Sequence, residues 1–431
     1  MDTLFSGVTA VTMDPARPVI RNAHIGVQGG KIAYVGAEPP PDPPAQVVSR
    51  GHLVVMPGLC NAHTHIAMAQ LRGFADDYNL QEWLHGHVFP AEAKMTDESV
   101  YWGTMLGLLE SVACGVVSVT DMYDHMDFVA RAVRESGVKA NLTRAVVCFD
   151  EGFNAAEDVR MRETRQLIRD WHGADGGRIL VDASVHAEYT SFPAVWDAVA
   201  ACAAEYGVGM NVHVSETRYE HEECKRKYGL TPAAALDRHG VFARRAVAAH
   251  CVWAEPEDIA LFAERGVSVA HNPVSNAKLA SGFAPVPAML EAGVNVALGT
   301  DSVASNNNHD LFEEIKLCAV VHKALSGDAT TLGASAALSL ATEGGFKAQG
   351  RQRESGRIAV GFDADIIALD FDKPHLAPCA NPVSHLVYAA RGSDVWLTMV
   401  RGKILYKGGE YFTLDRERIM REAGKFASVF F

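Results

Sequence analysis

Apolar segments of the chain repeatedly end in histidine or aspartate, residue types that bind divalent metals. His63 and His65 follow one such segment. Because successive strand residues point to opposite faces, both imidazoles point the same way. His213 and Asp301 follow two later segments. Three imidazoles and one carboxylate suit Zn²⁺ or Fe²⁺ and leave a position open for water. The sequence therefore predicts one divalent metal ion held by these four residues.

Two further residues could move protons beside that metal. His250 follows a fourth apolar segment, and Glu216 lies shortly after His213. A divalent metal lowers the pKa of a bound water molecule from about 15.7 towards about 7. His250 and Asp301 would orient the resulting hydroxide and take its proton. Glu216 would give a proton to an atom that the hydroxide does not attack. The predicted catalytic residues are thus Glu216, His250 and Asp301.

Each of these residues also has a purely structural interpretation when it is taken alone. A histidine pair such as His63 and His65 can satisfy hydrogen bonds in a core, and Asp301 can begin a helix as its N-cap. The whole set favours catalysis, because polar residues recur at the ends of strands 1, 5, 6 and 8, where barrels build active sites. A two-metal variant of such a barrel needs a bridging ligand, commonly a lysine after strand 4. Segment 179–186 contains no lysine, which favours one metal.

Alternating strand-like and helix-like segments indicate how these residues are positioned. Short apolar runs such as 116–120 alternate with helical stretches such as 99–113 between residues 59 and 345. About eight such units favour a (β/α)8 TIM barrel, an α/β fold, over an open sheet. Both ends of the chain contain short strands and turns, which we expect to pair into a small β-sandwich domain. The predicted parts are the N-terminal sandwich segment 1–57, the catalytic barrel 58–355 and the C-terminal sandwich segment 356–431.

Composition limits the partners and the compartment. The chain has 431 residues, a net charge of −13 and 48% hydrophobic residues, as expected of a compact protein. The acidic balance argues against nucleic acid or an anionic membrane as a partner and is compatible with a small-molecule substrate. There is no signal-like start and no run near the about 20 apolar residues of a membrane span. The eight cysteines are scattered without a CxxC pair, so we expect reduced thiols and a cytoplasmic protein.

A set of motifs runs through nearly the whole chain. They are Pro57-Gly58-Leu59 with His63-Thr64-His65, then His213 with Glu216, His250-Cys251 and Gly299-Thr300-Asp301. This combination resembles the amidohydrolase superfamily, in particular its deaminase and chlorohydrolase branch. Segments 71–77, 120–123, 275–279 and 381–388 are similar to those of 5-methylthioadenosine/S-adenosylhomocysteine deaminases. The resemblance implies a metal-dependent hydrolase that converts such adenosine compounds, or adenosine, into the inosine analogue and ammonia.

The same resemblance implies a set of substrate contacts. The implied residues are Glu92, Arg144, Arg160, His186 and Glu216. Glu92 matches a carboxylate that holds the ribose hydroxyls, and His186 matches a histidine that contacts the purine. Arg144 matches an arginine placed for the distal end of the substrate. Arg160 matches a second such arginine, with Arg162 as a rival. The structural alternatives are a helix-start glutamate, a core histidine, an ion-paired arginine and an exposed arginine.

One departure from the family pattern bears on specificity. After His186 the resemblance leads us to expect Ser-Pro-Tyr, whereas this chain has Ala187-Glu188-Tyr189. Glu188 either selects a substrate with more hydrogen-bond donors or faces away from it. The alternative functions are a deaminase or dechlorinase of another heterocycle, such as guanine, a pterin or a triazine, and a non-catalytic scaffold. We also expect a homo-oligomer, a dimer or tetramer, because such barrels commonly pair through exposed helices.

Overall fold

The computed structural model describes residues 1–41 and 43–430, whose strands form two sheets. In chain order the strands are β1 (Thr3–Val11), β2 (Val19–Gln28), β3 (Lys31–Gly36), β4 (Gln46–Val48), β5 (Leu53–Pro57), β6 (Leu59–Thr64), β7 (Val116–Tyr123), β8 (Lys139–Val146), β9 (Ile179–Ala187), β10 (Met210–Val214), β11 (Ala246–His250), β12 (Ser268–His271), β13 (Asn295–Leu298), β14 (Ile366–Asp370), β15 (Val395–Val400), β16 (Lys403–Lys407) and β17 (Glu410–Tyr411).

Strands from the two ends of the chain lie in the same sheet. Its order is β17-β16-β15-β14-β5-β1-β2-β3, and β4 pairs with β1. The two halves join where β5 pairs with β14 in antiparallel register, with Pro57 opposite Ile366. Apolar side chains from both halves, such as Phe5 and Leu397, belong to one buried core. The prediction that the two ends form one small β domain is confirmed. The residue limits of the domains stay a prediction.

The second sheet is a parallel barrel. In the described chain its eight strands follow one another in the order β13-β12-β11-β10-β9-β8-β7-β6. Thr64, at the end of β6, forms a parallel bridge with Asp301 beyond β13. The Asp301 amide donates to the His63 carbonyl over 3.0 Å, so the ends of the first and last strands are joined. The predicted (β/α)8 barrel is confirmed, and this joint brings His63 and Asp301 to the same rim.

Helices cover the outside of the barrel. Those of eight or more residues are Asp97–Ala113, Met126–Ser136, Val159–Trp171, Pro193–Tyr206, Arg218–Tyr228, Pro256–Arg265, Leu311–Ser326 and Arg416–Gly424. Shorter helices and single turns are Ile66–Leu71, Leu80–Glu82, Trp83–Val88, Phe89–Glu92, Ala174–Gly177, Glu188–Thr190, Pro232–Arg238, Pro273–Lys278, Val286–Glu291, Val303–Asn306, Ala334–Ser339, Leu340–Gly344, Gly345–Ala348, Pro374–Leu376, Pro382–Tyr388, Gly392–Asp394 and Ala427–Phe430.

Local sequence explains the helix boundaries. The predicted helix 99–113 begins earlier, at Asp97, because Thr96 and Ser99 cap it reciprocally. The Ser99 amide donates to Thr96 Oγ1 over 3.2 Å, and the Thr96 amide donates to Ser99 Oγ over 2.8 Å. Helix Met126–Ser136 ends at Gly137, whose φ of 88° suits glycine. Within residues 1–41 and 43–430, the helices all fall short of the length and apolarity needed to cross a membrane.

Candidate active site

The four predicted metal ligands meet at the carboxyl-terminal rim of the barrel. Asp301 Oδ1 lies 3.3 Å from His65 Nε2 and 3.6 Å from His63 Nε2. His213 Nε2 lies 3.3 Å from His65 Nε2. The side chain of His65 is 13% exposed, and those of the other three ligands are more deeply buried. Residues from the first, fifth and last strands of the barrel thus share one small volume.

The pleat of β10 turns His213 into the barrel. Val212 and Val214 belong to the core between the strands and the outer helices. Since side chains alternate along a strand, Asn211 and His213 take the inner face. His213 is therefore aimed at the barrel axis by the apolar residues that flank it.

His250 reaches the site only because the backbone departs from the regular strand. Ala249 belongs to the small cluster of apolar side chains inside the barrel, so strict alternation would point His250 towards the helices. His250 and the following Cys251 have left-handed φ values of 70° and 51°. The His250 ring centroid consequently lies 5.4 Å from those of His63 and His213. Left-handed backbone costs about 1–3 kcal/mol per non-glycine residue and clusters at functional sites.

Hydrogen bonds on the far side of two rings fix how they face the site. His65 Nδ1 lies 2.5 Å from the Met122 carbonyl oxygen, and His213 Nδ1 lies 2.7 Å from the His186 carbonyl oxygen. A carbonyl only accepts, so each Nδ1 carries the proton and each Nε2 is free to bind a metal.

Asp301 is held in the same manner by two hydroxyl groups. Ser275 Oγ donates to Asp301 Oδ2 over 2.6 Å, and Ser305 Oγ donates to the same oxygen over 3.0 Å. The other oxygen, Oδ1, faces the histidines. Neither Ser275 nor Ser305 has a role predicted from the sequence, because their shared partner could not be read from the chain.

The donor set fits a divalent metal ion. His63 Nε2 is buried and, among the described residues, lacks a hydrogen-bond partner, a costly state for a polar atom without a ligand. Burial lowers the pKa of His63 and His213 well below its usual value, so both rings are neutral, the form that binds metals. Burial disfavours the charged form of His65, but its hydrogen bond to Asp301 raises its pKa to about 9, so a metal would have to displace that proton. Three imidazoles and one carboxylate match the ligands of catalytic zinc and related ions.

Glu216 and His250 face each other beside this set. Glu216 Oε2 lies 3.8 Å from His250 Nε2. Burial, together with the nearby Asp301 and Glu220, raises the pKa of Glu216 well above its usual value. On the far side of the ring, Asn276 Oδ1 lies 2.8 Å from His250 Nδ1, which directs His250 Nε2 towards Glu216. Glu216 and His250 can therefore exchange a proton with a group that lies between them and the metal ligands.

A cavity of about 330 Å³ opens above these residues. Its walls are largely apolar and include Leu80, Trp83, Leu84, Val88, Phe89, Tyr123, Phe149 and Tyr189. Glu92 and His186 also line the cavity. Burial raises the pKa of Glu92 to about 7, although Tyr123 is hydrogen-bonded to its carboxyl group. Both side chains therefore line the cavity, and their contact with a substrate stays a prediction.

The predicted arginines, Arg144 and Arg160, do not line the main cavity. Arg144 Nε donates to Glu163 over 2.7 Å, and its guanidinium also pairs with Asp124. It lines a neighbouring cavity of about 270 Å³, which shares Asp124 and His125 with the main one. Arg160 pairs with Asp158. Arg144 thus has the ion pair that its structural alternative describes, whereas Arg160 is half-buried and ion-paired instead of solvated. The contact of either arginine with substrate stays a prediction.

Arg162, the rival of Arg160, is an exposed helix residue that donates to the Glu157 carbonyl over 2.7 Å. Glu188 faces away from the cavity. It is only 3% exposed, and its carboxyl group is hydrogen-bonded to that of Glu220 on helix Arg218–Tyr228. Of the two alternatives for Glu188, direct selection of the substrate is therefore not supported by its position.

Comparison with known proteins agrees with this geometry. The amidohydrolase family model matches residues 54–405. The chain is 42% identical to a 5-methylthioadenosine/S-adenosylhomocysteine deaminase of Thermoanaerobacter pseudethanolicus, over 99% of this chain and 98% of the relative. It is 43% identical to a 5'-deoxyadenosine deaminase of Methanosarcina mazei, with the same coverage. An adenosine deaminase from Xanthomonas campestris, solved with bound zinc, superposes with a TM-score of 0.94 at 34% identity, covering 100% of this chain and 98% of that one. The chain belongs to the amidohydrolase family.

Proposed function

We propose that the chain is a hydrolytic deaminase of adenosine-type compounds that uses one zinc ion. Candidate substrates are 5-methylthioadenosine, S-adenosylhomocysteine, 5'-deoxyadenosine and adenosine, each converted into the inosine analogue and ammonia. The observation that carries the proposal is the placement of Glu216, 3.8 Å from His250, beside the four-residue ligand set. A metal site alone fits many hydrolases, whereas a buried acid next to it suits addition of water to a ring that must be protonated.

The chemistry follows from the positions of three side chains. Zinc, when bound, supplies a water molecule of lowered pKa. A neutral purine is a poor electrophile, so Glu216 protonates the ring nitrogen next to the carbon that gains oxygen. His250 and Asp301 hold the proton that the water gives up and pass it to the departing amine. The second proton of the water returns to Glu216 as the ring carbon gains its carbonyl. One water is consumed and one ammonia is released, which leaves the three side chains in their starting state.

Several observations favour adenosine compounds and zinc. The relatives above are named for adenosine derivatives, and the similar solved deaminase contains zinc. Glu92 is a carboxylate on the cavity wall, where it could accept hydrogen bonds from ribose hydroxyls. A triazine or a pterin offers no ribose to such a group. Iron(II) would suit the same ligands, so metal analysis of the purified protein decides between the two.

An ammonia-release assay tests the function directly. We expect strong turnover of one or more of the four adenosine compounds, with about one zinc ion per chain by mass spectrometry of metals. A chelator should abolish the activity and added zinc should restore it, since the metal activates the water. Turnover confined to guanine, a pterin or a triazine would overturn the substrate assignment and leave the metal assignment standing. Iron as the bound metal would overturn the zinc assignment.

Arg144→Ala tests whether a tail on the substrate reaches the neighbouring cavity. Arg144 lines that cavity, which shares the lining residues Asp124 and His125 with the main one. We expect the KM for S-adenosylhomocysteine to rise about tenfold, the size of a lost charged hydrogen bond. The KM for adenosine, which has no tail, should change less than about twofold. Initial rates over a range of substrate concentrations measure both.

Arg265→Ala is the matched control, because Arg265 is an exposed, ion-paired arginine outside both cavity linings and its substitution should leave both constants unchanged. Equal effects of Arg144→Ala on the two substrates would show that Arg144 only supports the structure through Asp124 and Glu163.

A further inference from the structure

The loop that carries Glu216 is held by a second buried glutamate. Glu220, on helix Arg218–Tyr228, is 1% exposed. Its Oε1 accepts a hydrogen bond from the Ser215 amide over 2.8 Å, and its Oε2 accepts one from the Glu216 amide over 2.8 Å. Oε2 also accepts from the Thr217 amide over 3.3 Å. Each carboxylate oxygen of Glu220 therefore fixes part of the backbone that presents Glu216 to the cavity.

Glu188 packs directly behind Glu220. The turn Glu188–Thr190 lies against helix Arg218–Tyr228, and the Glu188 carboxyl group is hydrogen-bonded to that of Glu220. Two carboxylates in buried contact cannot both be ionised, because like charges repel and both lose hydration. One of the two groups must therefore carry a proton at neutral pH.

The hydrogen-bond pattern shows which group carries it. Both oxygens of Glu220 already accept backbone amide protons. Glu188 Oε2 is buried and, in the described part of the chain, lacks a partner. Protonating Glu188 gives the carboxyl pair a donor without removing an acceptor from the backbone amides, whereas protonating Glu220 would sacrifice an acceptor that these amides use. Burial and the charge of Glu220 raise the pKa of Glu188 well above its usual value, in agreement.

We propose that Glu188 is a neutral carboxylic acid that donates a hydrogen bond to Glu220 and thereby positions Glu216 for proton transfer. Glu188 lies outside the cavity lining, so it acts through Glu220 and is a positioning residue. The inference rests on the proposed function, since it deepens the role of Glu216. Glu188 stands where the resemblance leads us to expect the proline of Ser-Pro-Tyr. A proline at position 188 would have no side-chain donor for Glu220.

Paired substitutions at the two glutamates test this assignment on the zinc-loaded protein. The amide of Glu188→Gln still donates to Glu220, so kcat should stay within about threefold of wild type. Glu188→Ala removes the donor and should lower kcat about 10- to 100-fold, with KM changed less than about threefold. Glu220→Gln loses one acceptor oxygen and should be impaired like Glu188→Ala. The opposite order, with Glu220→Gln tolerated and Glu188→Gln impaired, would place the proton on Glu220 and overturn the assignment.

Equal loss in Glu188→Gln and Glu188→Ala, or no loss in either, would equally overturn it. Glu222→Gln is the control, because Glu222 is an exposed residue of the same helix. Zinc content and the melting temperature of each variant separate a positioning effect from loss of the fold. Rescue by glutamine but not by alanine is the result that a purely space-filling role would not give.

Infrared spectroscopy gives a readout that does not need turnover. The carbonyl stretch of a protonated carboxylic acid, identified with isotope-labelled glutamate, should weaken in Glu188→Gln relative to wild type at neutral pH. Identical spectra would overturn the proposal even if the wild-type protein is an active deaminase. If the wild type turns over no adenosine compound, the proposed function fails, and the spectra still decide whether Glu188 is protonated.

Discussion

Glu216→Gln is expected to lower kcat for adenosine compounds at least about a thousandfold, within the range that general acid catalysis contributes. Glutamine fills the same space but cannot release a proton to the purine ring. Glu216 is 5% exposed and lies 3.8 Å from His250, so bulk water cannot readily replace it as the acid. Steady-state ammonia release measures the loss, and metal analysis should show unchanged zinc, because Glu216 is outside the ligand set.

The choice of substrate separates loss of the acid from a general disturbance of the site. A purine riboside with chlorine in place of the amino group is more electrophilic and has a leaving group that needs no proton. Its turnover should therefore suffer less in Glu216→Gln than that of adenosine. The hydrogen bond from the backbone amide of Glu216 to Glu220 does not involve the substituted side chain. The loop should therefore stay in place. Equal loss on both substrates, or loss of zinc, would contradict the assignment of Glu216 as the acid.

The metal ligands could be predicted from the sequence because parallel strands impose a common direction. His63 and His65 share a face by their spacing, and the ends of all barrel strands meet at one rim. Apolar runs before His213 and Asp301 located those ends without any knowledge of the fold. Three imidazole nitrogens and one carboxylate oxygen then made Zn²⁺ and Fe²⁺ the candidate ions.

What the sequence could not provide were contacts between distant elements. The partners of Arg144 are Asp124, after β7, and Glu163, on the outer helix Val159–Trp171. Such an ion pair depends on how a helix sits against the barrel, which no local pattern encodes. The same holds for Glu188, whose partner Glu220 lies on another helix.

The inward direction of His250 is a different case. The ring was assigned to the site by the type and place of the residue, and the regular pleat alone would have pointed it away. The left-handed φ of 70° at His250 turns its ring towards the site instead. Backbone strain of this kind is common at functional sites. It cannot be predicted from composition or periodicity.

Asp301→Asn should reduce both zinc binding and turnover, the latter by at least about a thousandfold, since one carboxylate serves as ligand and as proton carrier. Asp301 Oδ1 faces His63 and His65, and it supplies the only carboxylate charge among the four predicted ligands. Asparagine keeps the size and can still accept from Ser275, so the loop should remain intact. Zinc content after dialysis and kcat in excess zinc measure the two effects separately.

Ser275→Ala and Asp328→Asn are the comparison variants for the loss of activity in Asp301→Asn. Ser275 touches only the second oxygen, Oδ2, so its removal should cost about tenfold, as for other residues that orient a metal ligand. Asp328 lies on an exposed turn, and its substitution should change neither zinc content nor kcat. If Asp301→Asn regained wild-type kcat once saturated with zinc, Asp301 would be a ligand alone and His250 would carry the proton unaided. If Asp301→Asn kept its zinc but lost kcat, proton transfer would be the main contribution of this carboxylate.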